Sequence, residues 1–103
     1  MNEAQPVAQL ESTQAPRYSI LWVIQNWIRN QSARTKSDSM RTENGKIYSY
    51  GLLVGYTENG CKYLLNHTAR GLGFVSMTTS QHVGKIDQYC QTYDIPILEG
   101  SIE

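Results

Sequence analysis

An excess of charge of either sign is missing from this chain. Nine Lys and Arg balance nine Asp and Glu over 103 residues, and only 17% of the residues are charged. No excess of one sign therefore advertises nucleic acid or an acidic membrane as partner. Cysteine is scarce as well. Cys61 and Cys90 cannot build a disulfide framework, and with no export signal ahead of them a reducing cytoplasm is the expected compartment. Long apolar runs are also lacking. The longest, residues 20–28, is interrupted by Gln25 and Asn26 and falls far short of the roughly 20 residues of a membrane span. It lies too deep, behind an acidic start, to be a signal-peptide core, so no membrane association is expected.

What is present is enough for one small domain with a thin core: 40% hydrophobic residues, with two Trp and seven Tyr. The polar, Gln-rich residues 1–16 read as a flexible tail, residues 17–97 as a single domain, and residues 98–103 as a short acidic tail. Charge is unevenly placed along this plan. All nine basic residues lie between Arg17 and Lys85, where only Asp38, Glu43 and Glu58 oppose them, a local charge of +6. Such a basic middle can meet an anionic partner or be neutralised by the acidic ends.

Ile20, Val23, Ile24, Trp27 and Ile28 fall at helical spacing, which predicts an amphipathic helix over residues 18–31. Trp22 and Trp27 are about 140° apart on such a helix, so one of them flanks the core stripe or joins an interface. Residues 32–39 read as a polar linker. The tetrapeptide Thr-Glu-Asn-Gly then occurs twice, at 42–45 and 57–60. Asn-Gly is a strong hairpin signal, because a type I′ turn needs φ > 0 at both central residues. The two turns predict the pairs Glu43–Lys46, Arg41–Tyr48, Glu58–Cys61, Tyr56–Tyr63 and Val54–Leu65.

A three-stranded meander follows from those registers. One side carries Arg41, Tyr48, Tyr50, Leu52, Val54, Tyr56, Tyr63 and Leu65; the other carries Ile47, Ser49, Gly51, Leu53, Gly55, Lys62 and Leu64. The tyrosine side is expected to be the core, since a small domain cannot leave its largest apolar face uncovered. A platform for stacking unpaired bases and a protein-contact surface are the alternatives. Residues 66–73 read as a loop and residues 74–78 as a fourth strand. Residues 78–93 read as a second helix with Val83, Ile86, Cys90 and Tyr93 as its apolar stripe, weakened at Gly84 and ended by Asp94-Ile95-Pro96. The fold class is α+β: helix, antiparallel meander of three to four strands, helix.

The segment from His67 to His82 offers a phosphate or nucleotide site. His67, Thr68, Arg70 and Gly71 stand in a loop, and Thr79, Ser80 and His82 open a helix, whose N-terminus favours anions. Walker and Rossmann spacings are absent. The plainer reading is that Thr79 or Ser80 caps the helix. Cys61, His67, His82 and Cys90 match no zinc spacing, and nothing forces a Cys or Ser against a His and Asp87. No metal, cofactor or catalytic residue is expected. Arg29, Arg34, Lys36, Arg41 and Lys46, with Tyr48 and Tyr50, are the candidates for contact with a partner or nucleic acid.

Residues 39–84 resemble small accessory proteins found in bacteriophage genomes. The features shared are Ser49-Tyr50-Gly51, the Gly55-Tyr56 step, the Thr68-Ala69 loop, and Thr78-Thr79-Ser80 followed by His82. The resemblance implies viral origin and a non-enzymatic, non-structural role in the host cytoplasm. Its expected form is stoichiometric binding of a host or defence protein, as an inhibitor or host-takeover factor. Binding of nucleic acid or a nucleotide is the alternative, and a homo-oligomer is compatible with either.

Overall fold

The computed structural model describes residues 15–65, 67 and 76–101. Helix α1 spans Ile20–Ile28, the full run of its apolar positions but shorter than the 18–31 predicted, because both ends are capped. The Ser19 hydroxyl accepts the Trp22 N–H, as an N-cap does. At the other end Asn30 takes φ +62°, and Asn30 and Gln31 donate to the Trp27 and Asn26 carbonyls. That pair of bonds is a Schellman closure.

Six strands follow in one sheet: β1 (Ala33–Arg34), β2 (Met40–Glu43), β3 (Lys46–Ser49), β4 (Leu52–Glu58), β5 (Cys61–Leu64) and β6 (Leu98–Glu99), in sequence order across the sheet. The first five run antiparallel; β6 lies parallel to β5. The crossover between β5 and β6 contains helix α2, Met77–Thr92, as a parallel pair requires.

Both Asn-Gly turns form, with φ +53° and +79° at Asn44-Gly45 and +54° and +79° at Asn59-Gly60. The pairs Glu43–Lys46, Arg41–Tyr48, Glu58–Cys61 and Tyr56–Tyr63 are those the turns predict. Six expectations are corrected. The sheet has six strands rather than three or four. Part of the polar linker pairs as β1, and part of the C-terminal tail pairs as β6. A third turn of the same type, Tyr50-Gly51 with φ +53° and +84°, divides what reads as one long strand into β3 and β4. Met77 and Thr78 belong to α2 and not to a fourth strand; residues 74 and 75 lie outside the described residues. The cap of α2 is Ser76, whose hydroxyl accepts the Thr79 N–H at 3.1 Å, so neither Thr79 nor Ser80 is the cap.

The side of the sheet that forms the core is also the reverse of expectation. Met40, Ile47 and Leu64, joined by Val54 from the expected side, pack with Val23, Ile24 and Trp27 of α1 and Val83, Ile86, Tyr89 and Cys90 of α2. Both helices therefore lie on the side bearing the smaller residues. The reason is close approach. A Cβ at Gly55 would sit 2.8 Å from Ile47 Cγ2 and 3.0 Å from the Trp27 ring, so the indole occupies the space a side chain would take. A β-bulge makes this fit: Ile47 pairs with Gly55 but Tyr48 with Leu53, leaving Val54 as the extra residue. It also turns Leu52 toward the core side, opposite Ser49.

Candidate functional site

The side of the sheet away from both helices is where candidate contact residues converge. Residues directly opposite in neighbouring antiparallel strands share a face. Arg34 is opposite Arg41, Arg41 opposite Tyr48, and Tyr48 opposite Leu53, so these four form a row across β1–β4. A second set, Tyr56, Tyr63 and Leu98, crosses β4–β6. Tyr48, Leu53, Tyr56 and Tyr63 are half-buried. The Arg41 guanidinium carbon lies 4.4 Å from the Tyr48 ring centroid, and the Tyr56 and Tyr63 rings stack at 4.9 Å and 12°.

The electrostatics of this row are unusual. Two cations directly opposite each other destabilise a strand pair, and only Arg41 gains an aromatic face in return. Arg41 Nε is buried with no hydrogen-bond partner. Arg29 Nη2 is in the same state; a donor of this kind is open to water or to another acceptor. Lys46, exposed at the end of β3 and paired with Glu43, adds a third cation. It lies along a hollow of about 710 Å³ that Tyr56, Leu53 and His67 also line.

The segment from His67 to His82 takes a different form. Ser49 Oγ is 2.7 Å from His82 Nδ1 and 3.2 Å from Thr79 Oγ1, and all three residues are buried. The network ties α2 to the end of β3. Ser49 has no solvent exposure, so this hydroxyl–imidazole pair has no access to a substrate. Burial, with Lys85 adding to it, lowers the His82 pKa below its ordinary value, and Tyr50 stacks over the ring at 6.0 Å and 25°. His67 is buried with Nε2 3.2 Å from the Leu53 carbonyl oxygen, and the Ser80 hydroxyl donates to the His67 carbonyl at 3.3 Å. The Thr79 hydroxyl and amide are thus both engaged within the fold. Thr68, Arg70 and Gly71 lie outside the described residues.

Of the proposed contact residues, Arg34, Arg41, Lys46 and Tyr48 come together on the open side. Arg29 does not: it caps α1 on the covered side, half-buried. Lys36 is exposed between β1 and β2, and Tyr50 belongs to the His82 stack. Tyr56 and Tyr63 complete the aromatic face, a membership already readable from the Asn59-Gly60 register.

Lys62 is a buried cation that the sequence did not single out. Its Nζ donates to the Trp27 carbonyl, Asn30 Oδ1 and Thr57 Oγ1, each at 2.7 Å. A cation at a helix C-terminus complements the helix dipole, so Lys62 pins the end of α1 to β5. Burial lowers its pKa, with nearby Cys90 opposing the shift. Cys90 itself is pushed up to about 11, chiefly by burial. Among the described residues, no group of three or more His, Cys, Asp or Glu is placed to hold a metal ion, and no helix is long and apolar enough to cross a membrane.

Compared with known proteins, the chain matches no family model, no curated sequence and no solved structure.

Proposed function

We propose that this protein acts by stoichiometric binding rather than turnover, and that its working surface is the tyrosine side of the sheet, with single-stranded nucleic acid as the ligand. The observation that carries the reading is the row Arg34–Arg41–Tyr48–Leu53, on the side that neither helix covers. Flat rings offer stacking surfaces for unpaired bases, and adjacent guanidinium groups offer charge and donors to phosphates. Arg34 and Arg41 supply the charge of this face, since Lys46 stands opposite Glu43 and near Glu58. The test is fluorescence anisotropy of labelled single-stranded DNA and RNA at about 50 and 200 mM salt. Binding that weakens at the higher salt and is lost in Tyr48→Ala supports the reading; its absence at both salts overturns it.

A host or defence protein as target is the second reading, in line with the resemblance to phage accessory proteins. The observation favouring it is an apolar groove of about 330 Å³ between the helices, lined by Ile20, Leu21, Tyr89 and Tyr93. Leu21 and Tyr93 are each 44% exposed there. Recovery of a stable complex from host lysate, abolished by Leu21→Asp, would support this reading. Recovery of the free chain alone would count against it.

A further inference from the structure

The first strand of the sheet carries an open edge. β1 stands at one end of the strand order, paired only with β2 among the described residues. The Thr35 N–H faces β2, donating to the Met40 carbonyl at 2.9 Å. Backbone groups of successive residues point to opposite sides of a strand, so the Arg34 N–H and C=O point outward. The Asn44-Gly45 turn gives the same phase. It closes on the bonded pair Glu43–Lys46, so Arg41 bonds toward β3 and stands opposite Arg34 as a non-bonded pair. Ser32, Arg34 and Lys36 along this edge are exposed. Residues 32–34 line a hollow of about 390 Å³ with Asp38, Arg41 and Glu43.

An edge residue with both backbone groups free takes one residue of another extended chain through two hydrogen bonds. Charge decides which chain. A second copy paired antiparallel about Arg34 would set Arg34 against Arg34, with Arg41 behind each. Like charges directly opposite destabilise a strand pair, and charged edge residues guard a sheet against such self-pairing. A strand with a carboxylate opposite Arg34 does the reverse. That carboxylate lies on the open side, beside the Arg34 guanidinium and in line with Arg41, whose Nε has no partner. Asp38, in the turn after β1, and Glu43, at the end of β2, repel further acids toward the ends of the hollow. We propose that the β1 edge receives an extended peptide as an added antiparallel strand, with one acidic residue opposite Arg34 and neutral residues on either side. The proposal goes beyond the single-strand reading of the open face: its ligand is a polypeptide, and Arg34 is the residue that both ligands would use.

The experiment titrates the capped peptide Thr-Val-Thr-Glu-Thr-Val-Thr into the full chain and follows the backbone amides by NMR. Peptides with Gln or Lys at the centre, and one N-methylated at the central Glu, are the comparisons. The Glu peptide is expected to shift the Arg34 amide saturably and to slow its hydrogen exchange. The Gln peptide should bind about fivefold more weakly, as loss of one cross-strand charge pair requires, and the Lys peptide more weakly still. N-methylation removes the donor to the Arg34 carbonyl without changing charge, and should abolish binding. Arg34→Gln should bring the Glu and Gln peptides together in affinity while resonances of the helices stay in place. An unmoved Arg34 amide, equal affinity for the Glu and Lys peptides, or undiminished binding of the N-methylated one would overturn the proposal. So would an Arg34 amide that shifts with concentration in the free chain, which would assign the edge to a second copy. If a labelled nucleic-acid strand binds while no peptide does, the face reading stands and only the edge fails. If the Glu peptide binds while no nucleic-acid strand does, the edge stands and the face reading is the one refuted.

Discussion

Replacing Arg41 by Gln tests the charge logic of the open face. Three cations stand there: Arg34, Arg41 and Lys46. Each phosphate neutralised on a single strand contributes about 0.7 to the slope of log affinity against log salt. Three contacts give a slope of about −2.1, so affinity falls about 18-fold between 50 and 200 mM salt. Arg41→Gln leaves two cations, a slope of about −1.4 and a loss of about 7-fold over the same interval. Stability should barely change. The variant loses a cation–π contact but relieves the opposition of Arg34 and Arg41, two effects of opposite sign and each about 1 kcal/mol or less. The assay is anisotropy of a labelled strand across a salt series, with a urea midpoint for each protein. A variant slope equal to that of the wild type would show that Arg41 contacts no phosphate, and a wild-type slope near zero would show that none of the three cations does.

Four further outcomes follow from the packing and the titrating groups. Gly55→Ala pushes a methyl group against Ile47 and the Trp27 ring and should cost about 1–3 kcal/mol in urea unfolding. Gly84 is exposed in α2 with open space around it, so Gly84→Ala should stabilise by about 1 kcal/mol and raise Tm by about 4–8 °C. His82 is lowered from 6.5, so as pH falls below that value the unfolded chain takes up the proton first and stability declines. His82→Asn should remove that part of the pH dependence in denaturation between pH 7 and 5. Cys61 is exposed and Cys90 buried; the native chain should therefore react with one equivalent of a thiol reagent at pH 8, and the denatured chain with two.

The two Asn-Gly turns made four cross-strand pairs legible in the sequence, because turn chemistry fixes register locally. Tyr50-Gly51 escaped for the same reason in reverse. Tyr is not a residue that favours φ > 0, and here its ring rests on His82, a contact 32 positions away in the chain. The bulge at Val54 was equally silent, since period-2 alternation carries through it on paper. Assigning the larger apolar side to the core failed on a physical point. Two helices bearing Trp27, Ile24 and Ile86 bring their own volume, and they seat best on Gly55, Ser49 and Thr42, where the sheet leaves room. Among the described residues, no helix packs on the tyrosine side. The short β1 and β6 carry two residues each, too few for any periodic signal.

The most direct measurement is an NMR titration of a single-stranded oligonucleotide, following the ring signals of all seven tyrosines. Tyr48, Tyr56 and Tyr63 should shift and saturate together, while Tyr89 in the core and Tyr18 and Tyr93 beside the helices stay in place. Shifts confined to Tyr18 and Tyr93, or no shift at any tyrosine, would contradict the single-strand reading.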